Sequence, residues 1–233
     1  MKMSKTIMAI GAHIGDMELT AGGVLASMSL KGHKIITVAL TSGEKGNPKD
    51  IDVETYRIQK QKEAKTFADM LNGISIVLPY DDGTLQNNDQ MKFEVADLIR
   101  KYKPDVLITH WKHSMHKDHE TTHYIVKDAQ FYAGIKGFKR IDEAHFASGP
   151  YYAENWEDPE LFEPYVYVNV SKEGFELWQK AISTHWFAIN SPSFKYKAYY
   201  ESLMSVRGKE ARTTYAQAFD ISKISKKIIK ESL

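Results

Sequence analysis

Five of the nine histidines stand at positions 110, 113, 116, 119 and 123, inside fourteen consecutive residues. Imidazoles at that density suit metal ligation or proton transfer. The plain alternative is a solvated loop running into a helix, where His119 and His123 are simple i, i+4 neighbours. A metal site needs ligands from elsewhere, and His13 and Asp16 supply them: an imidazole and a carboxylate three residues apart, where a strand pattern gives way to a helical one. With His119 they make two imidazoles and one carboxylate, the set that leaves zinc an open position for water and substrate. One divalent ion per chain is expected, zinc in preference to magnesium, which takes oxygen ligands.

Something must bring positions 13 and 119 together, and the hydrophobic pattern says what. Thr6 to Ala12 and Lys34 to Thr41 are short apolar runs of the kind buried on both faces of a parallel sheet. Between them Asp16 to Gly32 has helical spacing and closes on glycine. The alternation continues with a helix over Glu54 to Leu71, a strand over Ile74 to Pro79, a helix over Gln90 to Tyr102 and a strand over Asp105 to His110. Such βαβ repetition predicts a single doubly wound, mostly parallel, Rossmann-like α/β sheet with helices on both faces. After His119 the pattern loosens into a less regular C-terminal part: a helix to Phe131, an irregular stretch over 136–158, a strand over Tyr165 to Val170, a helix from Ser171 to Thr184, then further helices and a basic tail. No linker or repeat divides the chain, so residues 1–233 are expected to form one domain. In doubly wound sheets the ligand crevice lies beyond the C-terminal strand ends. His13 and Asp16, Glu44, Asp81 and Asp82, and the histidine cluster all fall on that rim.

Composition narrows the chemistry. Lys plus Arg number 31 against 30 Asp plus Glu, a formal charge of +1, so no basic field is available to hold a nucleic acid. With no cysteine, disulfide scaffolds, thiolate zinc sites and cysteine nucleophiles are excluded. The apolar run near the N-terminus is too short for a signal-peptide core, and no stretch reaches the roughly 18 apolar residues of a spanning helix. A cytoplasmic protein without a membrane partner is expected, and association into a homo-oligomer is left open.

Two motifs then carry a resemblance. Ala12-His13-Ile14-Gly15-Asp16-Met17-Glu18, continuing to Gly22-Gly23, resembles the AHPDD-x-E…GG opening of the PIG-L/LmbE-like family of zinc-dependent N-acetylglucosaminide deacetylases. His116-Lys117-Asp118-His119 resembles that family's HPDH motif, behind a matching strand from Pro104 to His110. Weaker similarities are Thr41 to Glu44, Asp82-Gly83, and Tyr215 to Phe219. The resemblance implies His13, Asp16 and His119 as zinc ligands, His116 as the protonatable group beside the reacting carbonyl, and Asp118 orienting His116 and raising its pKa. It further implies hydrolysis of the N-acetyl group of a small amino sugar or glycoconjugate, with that acetylated sugar as the partner molecule.

The resemblance breaks at one place that matters. The family's general base, the first Asp of its DD pair, is Gly15 here, and glycine accepts no proton. Glu18, Glu44 and Asp82 are the candidate replacements; the alternative is a zinc-containing carbohydrate-binding or regulatory protein that no longer hydrolyses. Gln217 stands where the family-like segment has Glu, removing a charge near the expected site. Arg207 is a candidate substrate contact, with Arg57 and Lys60 as weaker ones on a solvated helix face. Trp111, Tyr151, Tyr152 and Trp156 are candidate sugar-stacking rings, more simply read as packing. Gly22-Gly23 reads as close packing of helix on strand, because no phosphate-loop pattern surrounds it.

Overall fold

The computed structural model describes residues 4–155 and 160–227. Strands β1 (Thr6–His13), β2 (Lys34–Thr41), β3 (Ile74–Tyr80) and β4 (Val106–His110) pair in parallel in the order β3-β2-β1-β4. Their side chains alternate between the two faces. On one face Met8, Ile10, Ala12, Ile36, Val38, Leu40 and Leu107 pack against helices α4 (Asp89–Tyr102) and α5 (Lys117–Gly134). On the other, Ile7, Ala9, Ile35 and Ile108 join a second core with residues of α2 (Gly22–Leu30), α3 (Val53–Met70), α6 (Lys172–Ile182) and α8 (Tyr196–Glu210). Helices on both faces make the central runs apolar throughout, as expected, whereas edge strand β3 is only half-buried.

The second half departs from expectation in two places. The stretch read as irregular contains β5 (Ser148–Ala153), parallel to β4, and the stretch read as helical contains β7 (Tyr215–Asp220). β7 runs antiparallel to β5 and to β6 (Val166–Val170), completing a seven-stranded sheet of order β3-β2-β1-β4-β5-β7-β6. A short helix, α7 (Trp186–Asn190), precedes α8.

The first predicted helix is also divided, into α1 (Asp16–Thr20) and α2, at Ala21. The carbonyls that lose their helical partners there are taken by side chains: Trp178 Nε1 donates to Glu18 O at 2.8 Å, and Gln217 Nε2 donates to Leu19 O at 3.0 Å while its Oε1 accepts the Val24 N–H at 2.9 Å. Gln217 is therefore a structural brace rather than a missing charge at the site, and a glutamate could not donate to Leu19. Gly22 is closely packed, but on a helix rather than on a strand: a Cβ would lie 2.5 Å from Trp178 Cδ1 of α6, while Gly23 does approach a strand, its Cβ position lying 3.2 Å from Val170 of β6.

Candidate metal and active site

Four parallel strands end on one rim, and the loops leaving them carry the polar side chains of the site. His13 is the last residue of β1, and Gly15 turns the chain with φ 107° so that Asp16 opens α1. That turn folds the Asp16 carboxylate back, and its Oδ2 accepts the His13 N–H at 2.7 Å. His110 ends β4; His116 caps α5, its Nδ1 accepting the Asp118 N–H at 3.2 Å, and His119 lies in the first turn of that helix.

Asp16 Oδ2 is the centre of the cluster. It lies 3.2 Å from His13 Nδ1, 3.4 Å from His119 Nε2 and 3.1 Å from His110 Nε2. Burial alone would push the Asp16 carboxyl up, but His119 and His13 beside it hold it well below the usual carboxylate range. The outer nitrogens of the rings are held as well: His119 Nδ1 meets the Ser114 hydroxyl at 3.2 Å, and His13 Nε2 faces Asp82 Oδ1 at 3.1 Å and Asp118 Oδ2 at 3.5 Å. Burial disfavours a charged His13, yet Asp16, Asp118 and Asp82 together raise its pKa well above the ordinary value. Ligating atoms come within 4.8 Å of one another in three overlapping groups: His13, His116 and His119; Asp16, His110 and His119; His13, Asp82 and Asp118. The sequence-predicted His13, Asp16, His116, Asp118 and His119 are thus brought together, and His110 and Asp82 join them.

His110 was visible in the histidine run but had no role. Its Nε2 accepts the Ala12 N–H at 3.0 Å and its ring stacks on His119 with centroids 4.1 Å apart, so it ties β4 to β1 beneath the cluster. His123 is a brace, its Nδ1 donating to His110 O at 2.9 Å; burial pulls its pKa down to about 4. His113 contacts Trp111 instead.

Several assigned roles change. The Asp118 carboxylate does not reach His116: it accepts the Gly83 N–H at 2.7 Å and the Leu85 N–H at 3.3 Å, fixing the loop after β3. The pKa of His116 is lowered, by burial and by His13, more than Asp118 raises it. Because Nδ1 accepts from the backbone, a neutral His116 carries its proton on Nε2. Arg207 is paired with Glu154 through Nε at 2.9 Å and through Nη2, and with Glu210 at 2.8 Å; it lies at a different, small cavity beside β7. Arg57 is bound to Glu44 at 3.0 Å and Asp81 at 2.8 Å, so it braces carboxylates rather than facing the crevice. Glu44 is wholly buried, its Oε1 also accepting the Asp82 N–H at 3.0 Å. Glu18 is buried under the turn and accepts the Gly15 N–H at 3.1 Å; burial pushes its pKa up to about 7.

A cavity of about 720 Å³ opens over the cluster. His13, Asp16, Asp82 and His116 form one wall, and Tyr56, Lys60, Trp186, Phe187 and Tyr196 the other. The aromatic wall comes from α3 and α7–α8, not from the rings expected to stack. Trp111 and Tyr152 pack against each other and against His123 or Phe162, and Tyr151 lines a separate cavity; Trp156 lies outside the described residues, as do the last residues of the predicted basic tail. Lys60, expected on a solvated face, is 6% exposed. One sequence signal marks it: it shares the buried stripe of α3 with Tyr56, Ala64 and Phe67.

Against known proteins, residues 8–130, more than half of the chain, match the family model "PIG-L: GlcNAc-PI de-N-acetylase". The chain is 28% identical over 182 residues to the "Uncharacterized deacetylase YaiS" of Escherichia coli K12, covering 78% of this chain and 90% of that one. Among solved structures it is similar to GalB, the 4-carboxy-2-hydroxymuconate hydratase of Pseudomonas putida KT2440, with a TM-score of 0.85, 19% identity, and 98% and 99% of the two chains covered. It is similar as well to the N,N'-diacetylchitobiose deacetylase of Pyrococcus horikoshii, with a TM-score of 0.82, 19% identity, and 95% and 85% covered. A hydratase and a deacetylase thus share this fold, and the fold by itself does not choose the reaction.

Proposed function

Because the chain belongs to the PIG-L/LmbE-like deacetylase family, we propose that it is a zinc-dependent hydrolase removing the N-acetyl group of a small amino sugar or glycoconjugate. The observation that carries this reading is the buried Asp16 carboxylate whose neighbours are imidazoles instead of a lysine or arginine, on the floor of a cavity wide enough for a sugar. Two nitrogens and one oxygen are a donor set that fits zinc, and the contacts behind the rings, Ser114 to His119 and Asp118 to His13, are those that orient ligating histidines. His13, Asp16 and His119 would hold the ion. Zinc bound there supplies a Lewis acid for an amide carbonyl.

The chain's own groups do the rest. His116 lines the cavity with its proton on Nε2, placed to donate a hydrogen bond to the oxyanion that develops as the carbonyl becomes tetrahedral, while the departing amine takes up the proton removed from the attacking water. Asp16 and Asp82 are the carboxylates in the cavity wall among the described residues. With Asp16 spent as a ligand, Asp82 is the group left to take the proton from the attacking water, replacing the base absent at position 15. Burial would raise its pKa, but the contact with His13 and the Lys45 N–H, accepted by Oδ2 at 3.1 Å, keep it ionised. Glu44, through the Asp82 N–H and Arg57, and Asp118, through Gly83 and Leu85, keep that loop in place.

One observation favours the second reading, a zinc-containing carbohydrate-binding protein without hydrolysis: the Phe187 ring fills the space beside Gly15, where a Cβ would come within 2.3 Å of Cζ. Acetate release from a panel of N-acetylated amino sugars separates the two. The deacetylase reading expects stoichiometric acetate and free amine from at least one sugar. Zinc-loaded protein that binds sugars but releases no acetate from any of them would leave the binding reading.

A further inference from the structure

Lys60 presents a buried cation that the proposed hydrolysis does not use. It is 6% exposed, and among the described residues its Nζ has one hydrogen bond, a long one of 3.4 Å to Gly43 O. Its other close neighbours are ring faces, Phe187 at 4.9 Å and Tyr56 at 5.8 Å from Nζ. Asp16, Asp82, Glu63 and Glu18 act on it only from a distance, and none forms an ion pair with it. A buried ammonium without an ion pair is costly to hold in a folded chain. Its Nζ lies beside the His13 end of the cavity: a Cβ on Gly43 would come 2.8 Å from Nζ and 2.9 Å from His13 Cβ. The other charged side chains in the wall sharpen the point. Lys45 and Lys49 line it too, Lys45 with its Nζ donating to Asp82 O, while both acidic residues, Asp16 and Asp82, face imidazoles. Among the described residues the cavity wall thus carries three lysines, Lys45, Lys49 and Lys60, against the two carboxylates.

We propose that Lys60 seats an oxyanion of the substrate, so that the molecule bound here is an acidic N-acetylated amino sugar carrying a carboxylate or a phosphate. The inference rests on the deacetylase reading for the acetyl group but not for the anion. Lys60 is a specificity-determining contact: it completes its hydrogen bonds only when the anion arrives, with Phe187 and Tyr56 excluding water around it. A charge-assisted contact of this kind is worth roughly 10- to 100-fold in affinity.

The test is calorimetric binding of three sugars to the full chain: neutral N-acetylglucosamine, N-acetylglucosamine 6-phosphate, and N-acetylmuramic acid, with released acetate followed in parallel. At least one anionic sugar is expected to bind ten-fold or more tightly than the neutral one, Lys60→Met to remove that advantage and Lys60→Arg to keep it. Which sugar gains identifies phosphate or carboxylate. In the absence of sugar, Lys60→Met should raise Tm by about 2–4 °C, because an incompletely paired buried charge is gone. Equal affinities for all three sugars, or an anion preference that survives in Lys60→Met, would overturn the inference. So would a lower Tm in Lys60→Met with unchanged affinities, the signature of a packing residue. Anion-selective binding without acetate would sink the hydrolysis reading and leave this one standing; acetate release with no preference among the sugars would do the reverse.

Discussion

At position 15 a single missing side chain sets the residue-scale question, and the structure answers it with Phe187. Gly15 has φ 107°, and a Cβ there would sit 2.3 Å from Phe187 Cζ and 2.5 Å from Cε1. Restoring the family's aspartate would combine left-handed backbone strain with overpacking, so Gly15→Asp should lose about 2–4 kcal/mol of stability in denaturant unfolding. The same substitution paired with Phe187→Ala should recover part of it; a single variant as stable as the parent would contradict the packing. The proton acceptor is tested one loop away. Asp82→Asn should lower kcat by roughly 100-fold or more while zinc stays bound, because it removes the acceptor and leaves the three proposed ligands in place. Loss of zinc in that variant would show Asp82 to be a ligand instead. The glycine was legible in the sequence as a departure, since the motif around it is intact. The ring that fills its place was not, because Phe187 comes from a short helix far along the chain whose docking no local pattern announces.

At the scale of elements, the alternation of apolar runs and helical stretches through residue 110 corresponds to β1–β4 and the helices between them, since each run is apolar and the central ones, β1, β2 and β4, are buried on both faces. β5 and β7 escaped for a common reason. Each is six residues long and contributes small side chains, Ser-Gly-Pro in one and two alanines in the other, so neither periodicity nor propensity speaks for it; tertiary pairing decides. The division of α1 from α2 was hidden in the same way, because the partners of the freed carbonyls, Trp178 and Gln217, lie on α6 and β7. Lys60 shows the opposite case. Its place on the apolar stripe of α3 was readable from i, i+4 spacing, and its charge disguised it as a surface residue.

Across the whole molecule, the rim where four strands end was predictable from topology, and it gathers His13, Asp16, Asp82 and the histidine cluster as expected. The opposite wall depends on how α7 and α8 return over the sheet, which no motif encodes. Global stability should carry a histidine signature. His185 is wholly buried, neither ring nitrogen has a hydrogen-bond partner among the described residues, Glu63 Oε2 stays 3.9 Å from Nδ1, and burial, with Lys60, pulls its pKa down to about 3. Between its unfolded value near 6.5 and that folded value, the unfolded chain holds the extra proton, so this contribution to stability is present above about pH 6.5 and is lost as pH falls toward 3. His185→Leu should flatten the stability profile in that window by up to about 1.4 kcal/mol per pH unit; an unchanged slope would show that the ring is hydrated or paired in solution.

The central claim is that His13, Asp16 and His119 hold a zinc ion while His116 acts on the substrate beside it, and elemental analysis of three purified proteins after zinc addition and desalting tests it most directly. The parent chain should retain one equivalent of zinc. His116→Ala should retain the same, with kcat lowered by roughly 100-fold, and His119→Ala should retain almost none. Less than about a tenth of an equivalent in the parent would contradict the metal site, since a three-ligand site of this kind holds zinc through desalting. Equal loss of zinc from His116→Ala and His119→Ala would contradict the division of roles between them.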